Sequence, residues 1–340
     1  MTKKILRWFR QPALGALIAC LAMLGPVHAE DIRYTAAVST MTVADPVAAF
    51  QVVVFYPTQD PLRAWHAGPF DINASRDAAA VSGMRFPVIL LSHGRQGGPM
   101  SHRMLATALA QAGFIVVLPT HVGDASGAPL AKSQAEILVN RPRQAKQALA
   151  AVLNDARFTS IADQDRIGMI GHSAGGYTAL ILAGAQPNFA HAAQYCASHH
   201  DPASCPTASA ATTPAANVLT LANWQPDREP RLKALVLLDP LAVMFDRSSL
   251  QNIALPSLIY APQDGSYLNQ ATNVDVVAAG LPQASFMPRV PGNHFVFIDP
   301  CPDAVAKLNA LVCQDAPGVD RNAIHLKMTQ EIIAFLQQHL

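Results

Sequence analysis

Gly171-His172-Ser173-Ala174-Gly175 places a serine between two glycines, after the apolar run 166–170 and before a helical stretch, Ala174–Ala183. On so tight a strand-to-helix turn the hydroxyl is presented at the strand end. The amide of Ala174 opens the helix, where it can stabilise an oxyanion. A serine hydroxyl is a weak nucleophile without a base. His294, in Pro291-Gly292-Asn293-His294-Phe295, follows the last strand-like segment and is the expected base. Two aspartates between serine and histidine follow strands. Asp264, in Ala261-Pro262-Gln263-Asp264-Gly265, is the expected acid. Asp239, directly after LKALVLL, is the alternative. Either type of placement lets a carboxylate orient an imidazole and stabilise its charged form.

A second oxyanion donor is expected from the loop Ser92-His93-Gly94-Arg95-Gln96-Gly97-Gly98. Gly94 lets the backbone turn close to a substrate, and the Arg95 amide is the expected donor. His93, Gly94 and His172 are read as loop support. His121 and Asp124 follow the next strand and are expected to rim the pocket, either touching substrate or holding the loop. Tyr177, Trp224 and Tyr267 are candidate pocket aromatics, with core packing as the plainer reading of each.

These residues need a frame that gathers strand ends. Residues 50–56 read as a strand, and residues 64–84 as irregular with one short strand. From residue 86 strands and helices alternate. FPVILLS, FIVVL and LKALVLL are nearly continuous apolar runs, as in strands buried on both faces. Helices are expected over 101–112, 141–156, 174–183, 273–281 and 323–339, and further strands over 166–170, 258–261 and 285–290. This order calls for an α/β class chain with a mostly parallel sheet flanked by helices, the α/β-hydrolase fold. Its ligand site lies at the carboxyl ends of the strands.

Residues 185–230 are long for a helix-to-strand connection. They read as a small cap over the site or as a disordered surface insertion, with a turn of helix over 217–223. They hold Cys196 and Cys205; Cys301 and Cys313 form a second close pair. Four cysteines allow three pairings, and the local one, Cys196–Cys205 with Cys301–Cys313, is expected in an oxidising compartment. His199, His200 and Asp201 between the first two raise a zinc site as a competing reading, but the spacing matches no structural zinc pattern. No metal and no cofactor are expected.

Lys3, Lys4, Arg7 and Arg10 precede the apolar run 13–25, and Val27-His28-Ala29 offers small residues for cleavage. Residues 1–29 read as a signal peptide and 30–340 as the α/β domain. An uncleaved anchor is the alternative, although the run is short of the ~20 residues that span a bilayer. Removal of the leader takes Cys20 with it and lowers the formal charge from +1 to −3. The expected location is periplasmic or secreted, without stable membrane insertion. No basic patch suggests a nucleic-acid partner. The expected partner is a small ester substrate, with a monomer as the expected state.

VILLSHGRQGG, IGHSAGGYTAL, RLKALVLLDP, PSLIYAPQDGSYL and PGNHFVFIDPC together resemble the bacterial dienelactone-hydrolase-like group of α/β hydrolases. They are similar also to plasma platelet-activating-factor acetylhydrolase and, more distantly, to cutinase-like polyester hydrolases. The resemblance runs from residue 50 to the C-terminus and is poor over 185–230. It implies Ser173, Asp264 and His294 as the triad, while the acetylhydrolase comparison raises Asp239. The segment 313–321 implies a Cys301–Cys313 bridge near the histidine loop. Dienelactone hydrolases use a cysteine nucleophile, and this chain has serine. The expectation is therefore acyl transfer on carboxylic esters of short or medium acyl chain. An amidase or peptidase, a lipase or polyester hydrolase, and an inactive binding protein are the rivals.

Overall fold

The computed structural model describes Met1 and residues 34–127, 133–205, 219–286 and 288–340. The expected leader lies outside the described residues, as does part of the turn expected over 217–223.

Among the described residues twelve strands run in chain order: β1 (Thr35–Val43), β2 (Phe50–Thr58), β3 (Trp65–Ala67), β4 (Phe70–Ile72), β5 (Ser75–Arg76), β6 (Phe86–Ser92), β7 (Ile115–Pro119), β8 (Ala162–His172), β9 (Leu232–Leu238), β10 (Ser257–Pro262), β11 (Ala284–Phe286) and β12 (Arg289–Val290). The main sheet has the order β11-β10-β9-β8-β6-β7-β2-β1-β5, with β12 also on β10. From β7 through β6, β8, β9 and β10 to β11 every pairing is parallel, while β2 is antiparallel to both β7 and β1. This is the α/β-hydrolase arrangement expected from the strand-helix alternation.

The helices are α1 (Arg103–Gln111), α2 (Gln134–Asn154), α3 (Ala174–Ala183), α4 (Phe189–Ser198), α5 (Arg247–Leu250), α6 (Val274–Gly280), α7 (Asp303–Ala306), α8 (Ala310–Cys313) and α9 (Arg321–His339). Successive strand residues serve opposite faces. In β6, Val88 and Leu90 join one core with Leu149 and Val152 of α2 and Leu180 of α3. Ile89 and Leu91 join the other, with Leu105 and Leu109 of α1 and Ile332 and Leu336 of α9. Both faces are buried, which is why these strands read as unbroken apolar runs.

Three elements differ from expectation. Residues 64–84 hold the hairpin β3–β4 and the short β5 rather than one short strand. α2 begins at Gln134, capped by the Ser133 side chain on the Glu136 amide, well before residue 141. Pro142 then lies inside the helix and cannot bond the carbonyl of Leu138. The hydroxyl of Tyr177 donates to that carbonyl instead, at 3.1 Å. The insertion after α3 contributes α4, joined to the following loop by the Cys196–Cys205 disulfide; Cys301–Cys313 is also bridged. Because Cys196 and Cys205 are bonded to each other, they offer no thiolate to a metal. Among the described residues no helix is long and apolar enough to cross a membrane.

Candidate active site

Ser173 sits between β8 and α3 with φ 55° and ψ −118°, a region that costs a non-glycine residue on the order of 1–3 kcal/mol and persists only where its surroundings enforce it. Here the enforcement is local. The Ser173 amide donates to the Leu238 carbonyl at 3.0 Å, and its own carbonyl accepts from Leu241 at 2.9 Å. The helix must also pass close to β6: a Cβ on Gly175 would lie 1.9 Å from the Ser92 carbonyl oxygen.

His294 follows β12, and its Nδ1–H donates to Asp239 Oδ2 at 2.6 Å. Both side chains are buried. With Nδ1 holding the proton, Nε2 carries the lone pair. His294 and Ser173 border one cavity of about 480 Å³ at the carboxyl ends of the strands. Asp239 follows β9 directly. Its backbone has φ 42°, a conformation aspartate tolerates better than most residues, and its amide donates to the Tyr260 carbonyl at 2.9 Å.

The carboxylate that meets His294 is therefore that of Asp239, the alternative, and not that of Asp264. Asp264 is exposed. Its amide donates to the Gly292 carbonyl, two residues before His294, while its carboxylate accepts from the Ser266 amide at 2.9 Å. It is a backbone partner of the histidine loop and caps its own turn.

The loop after β6 brings Gly94 and Arg95 to the cavity wall. A Cβ on Gly94 would lie 2.9 Å from His172 Nδ1 and 3.3 Å from the Ser173 Cβ, so only glycine lets this backbone approach the serine so closely. Buried groups behind the loop fix its course. His93 Nδ1–H donates to the Gly94 carbonyl at 2.7 Å, and its Nε2 accepts from the His121 amide. Arg141, almost fully buried in α2, pairs with Asp124 at 2.7 Å and donates to Ser92 Oγ, Thr178 Oγ1 and the His93 carbonyl. Burial, with the Arg141 guanidinium beside them, holds both His93 and His121 well below the usual histidine range, so both are neutral.

Of the two readings of His121, touching substrate or holding the loop, its surroundings match the second. It is fully buried, between Ser92 Oγ at 2.8 Å and Gln144 Oε1 at 3.3 Å. Trp224 likewise follows its plainer reading: its ring packs near Phe189, away from the described cavity walls. Tyr177 is buried, its ring stacked with that of Phe245, and it borders a narrow recess beside Ser173. Tyr267 lines the cavity and stacks on the His294 ring at 4.7 Å. His172 Nε2–H donates to the His294 carbonyl at 3.2 Å, tying the serine turn to the histidine loop.

Sequence reasoning missed Arg141, whose helix was expected to begin at that residue, and Asp299. The Asp299 carboxylate caps the Met104 amide at 2.7 Å and lies beside Arg103. The loop that carries His294 is thus anchored to the start of α1. Burial pushes this carboxyl up to about 7. Phe70, on the unforeseen β3–β4 hairpin, and Met100 also line the cavity.

A family model described as Chlorophyllase matches residues 78–223. That segment includes the glycine loop and the serine turn, and ends before Asp239 and His294. Comparison with curated proteins finds no match. Among solved structures, a ferulic acid esterase from Streptomyces cinnamoneus superposes with a TM-score of 0.60. It is 16% identical, over 91% of this chain and 91% of that chain. At that identity the likeness is one of fold.

Proposed function

We propose that this chain is a serine carboxylic-ester hydrolase for short or medium acyl groups, with Ser173 as nucleophile, His294 as base and Asp239 as acid. The observation that carries this reading is the buried His294–Asp239 hydrogen bond, whose imidazole shares a cavity with a serine held at a strained turn. Nε2 of His294 takes the Ser173 proton as Oγ attacks the ester carbonyl. The amides of Arg95 and Ala174 stabilise the tetrahedral oxyanion. The imidazolium, held by Asp239, then protonates the departing alcohol, and water repeats the sequence on the acyl-enzyme. The relative named as a ferulic acid esterase points to the same bond class. Export is supported by the two disulfides, which persist in oxidising compartments.

The test is labelling by a fluorophosphonate probe together with initial rates on 4-nitrophenyl esters from acetate to palmitate, in wild type and Ser173→Ala. Labelling and turnover at short chains, both lost in the variant, are expected. Turnover that persists in Ser173→Ala would sink the reading.

The glycine loop gives a second expectation. In Gly94→Ala the new methyl must displace the loop from Ser173 and His172. One oxyanion donor is worth roughly 10²–10³ in kcat. The expected result is a kcat loss of that order at nearly unchanged KM; a wild-type kcat would show that this loop does not hold the oxyanion.

A further inference from the structure

Under the hydrolytic reading above, on which this inference rests, the proton of Ser173 Oγ passes to His294 Nε2 and from there to the departing alkoxy oxygen. His294 is therefore an imidazolium in both half-reactions, and its side chain is buried, where charge is poorly solvated. Asp239 meets the edge of that ring, at Nδ1, over 2.6 Å. The faces of the ring meet other rings.

Tyr267, from the loop after β10, stacks on His294 with 4.7 Å between ring centres and the planes 21° apart. His172, from the serine turn, lies at 4.8 Å with the planes 32° apart. Phe295 meets the Tyr267 and His294 rings edge-on, at 4.6 and 5.2 Å. The Tyr267 loop is itself fixed against the histidine loop. The Gln263 and Asp264 amides donate to the Val290 and Gly292 carbonyls at 2.8 and 3.0 Å, continuing the β10–β12 pairing. Gln270 Nε2 closes the turn on the Pro262 carbonyl at 2.6 Å. Backbone pairing thus sets where Tyr267 stands relative to His294.

Both stacked rings are uncharged. His172 Nε2–H donates to the His294 carbonyl, and burial, with His294 and His102 nearby, holds His172 well below the usual histidine range. Burial raises the Tyr267 phenol from its ordinary value, while Arg95 and Asp201 act on it with opposite signs. Among the described residues Asp239 is the carboxylate in ion-pair contact with His294. Asp264 is exposed, and Asp299, in the wall of the same cavity, lies beside Arg103. A neutral phenol ring presents the negative face of its quadrupole to a stacked cation.

We propose that Tyr267 is a positioning residue for His294: its ring face fixes the imidazole beside Ser173 and stabilises it while it carries the proton. A cation on an aromatic face is favoured by about threefold to thirtyfold. Neutral imidazole gains less, so the ring acts on the transition state more than on the ground state.

Tyr267→Leu and Tyr267→Phe separate this role from packing. kcat/KM on 4-nitrophenyl acetate is followed against pH, over the range where circular dichroism shows each variant folded. Titration with a fluorophosphonate counts active sites. The acid limb reports the base of the free enzyme. In Tyr267→Leu it is expected to move to lower pH by roughly 0.5 to 1.5, because the imidazolium loses a stabilising face. kcat on the plateau is expected to fall by about threefold to thirtyfold. Tyr267→Phe keeps the face and is expected to match wild type in both. An acid limb that stays in place or moves up in Tyr267→Leu overturns the proposal, since lost packing alone lowers the rate at every pH. Tyr267→Phe shifted as far as Tyr267→Leu also overturns it, by assigning the effect to the hydroxyl. The imidazole C2 proton of His294, assigned by its loss in His294→Asn, gives the same midpoints by NMR without turnover. If wild type shows no Ser173-dependent turnover the esterase reading falls. The NMR midpoints then decide alone: a lower one in Tyr267→Leu upholds the role of the ring face, and an unchanged one ends it.

Discussion

Asp239→Asn is expected to lower kcat by about ten-thousand-fold, the loss seen when a triad acid becomes an amide of the same shape. Asp264→Ala is expected to leave kcat within about twofold, as for an exposed substitution outside the chemistry. The difference follows from what each carboxylate touches. Asp239 Oδ2 accepts the Nδ1 proton of His294 at 2.6 Å, with both side chains buried. An amide there can present its NH₂ to Nδ1 and so favour the tautomer with the proton on Nε2, which cannot take the serine proton. The imidazolium also loses its counter-charge in a site where charge is poorly solvated. The Asp264 carboxylate accepts from the Ser266 amide and is exposed. Rates for both variants on 4-nitrophenyl acetate, with circular dichroism to confirm folding, decide the matter. Equal effects, or a larger one at Asp264, would contradict the Asp239 assignment.

That contrast also marks how far the residues alone reach. The serine turn and His294 were legible because their chemistry is local: a glycine-flanked serine between strand and helix, and a histidine after the final strand. The two-faced parallel sheet was legible because strands covered on both sides carry unbroken apolar runs. The acid was not decidable, since Asp239 and Asp264 both follow strands and chain order carries no distance. The deciding fact is spatial. β12 pairs with β10, so the backbone at Gln263 and Asp264 runs alongside Val290 and Gly292. That pairing engages the Asp264 backbone next to the histidine loop, while its side chain caps its own turn. β9 lies between β8 and β10, which puts its end between the serine and the histidine loop. Arg141 was hidden by Pro142, because a proline reads as a helix start. The Tyr177 hydroxyl that satisfies the Leu138 carbonyl comes from another element, and no local pattern announces it. The β3–β4 hairpin that carries Phe70 is too short for periodicity to reveal.

Acidification is expected to destabilise the protein already above the usual carboxylate range, because its buried histidines are held neutral. His93, His102, His121, His172 and His325 are all buried, and burial lowers each from its ordinary value, His102 to about 3. Neighbouring charge adds to this: Arg141 acts on His93 and His121, His294 on His172, His325 on His102 and Arg321 on His325. The unfolded chain binds protons at these sites below about pH 6.5 and the folded chain does not. Their contribution is present in full above that pH and is lost as the pH falls toward the folded values. Asp299 has the opposite sign. Its carboxyl, raised to about 7, is protonated when folded and ionised when unfolded between about pH 4 and 7, so it offsets one histidine in that window. Five histidines act in one direction and one carboxyl in the other, so unfolding takes up protons in this window and stability falls as the pH falls through it. Urea unfolding between pH 8 and 5 measures the slope. A stability that stays flat from pH 7 to 5 would refute the account. His102→Leu gives the sharper check: this ring contacts the backbone of Phe297 and faces His172 at 5.5 Å between ring centres. Its removal should make the pH dependence shallower by about one proton, whatever the variant does to stability at neutral pH.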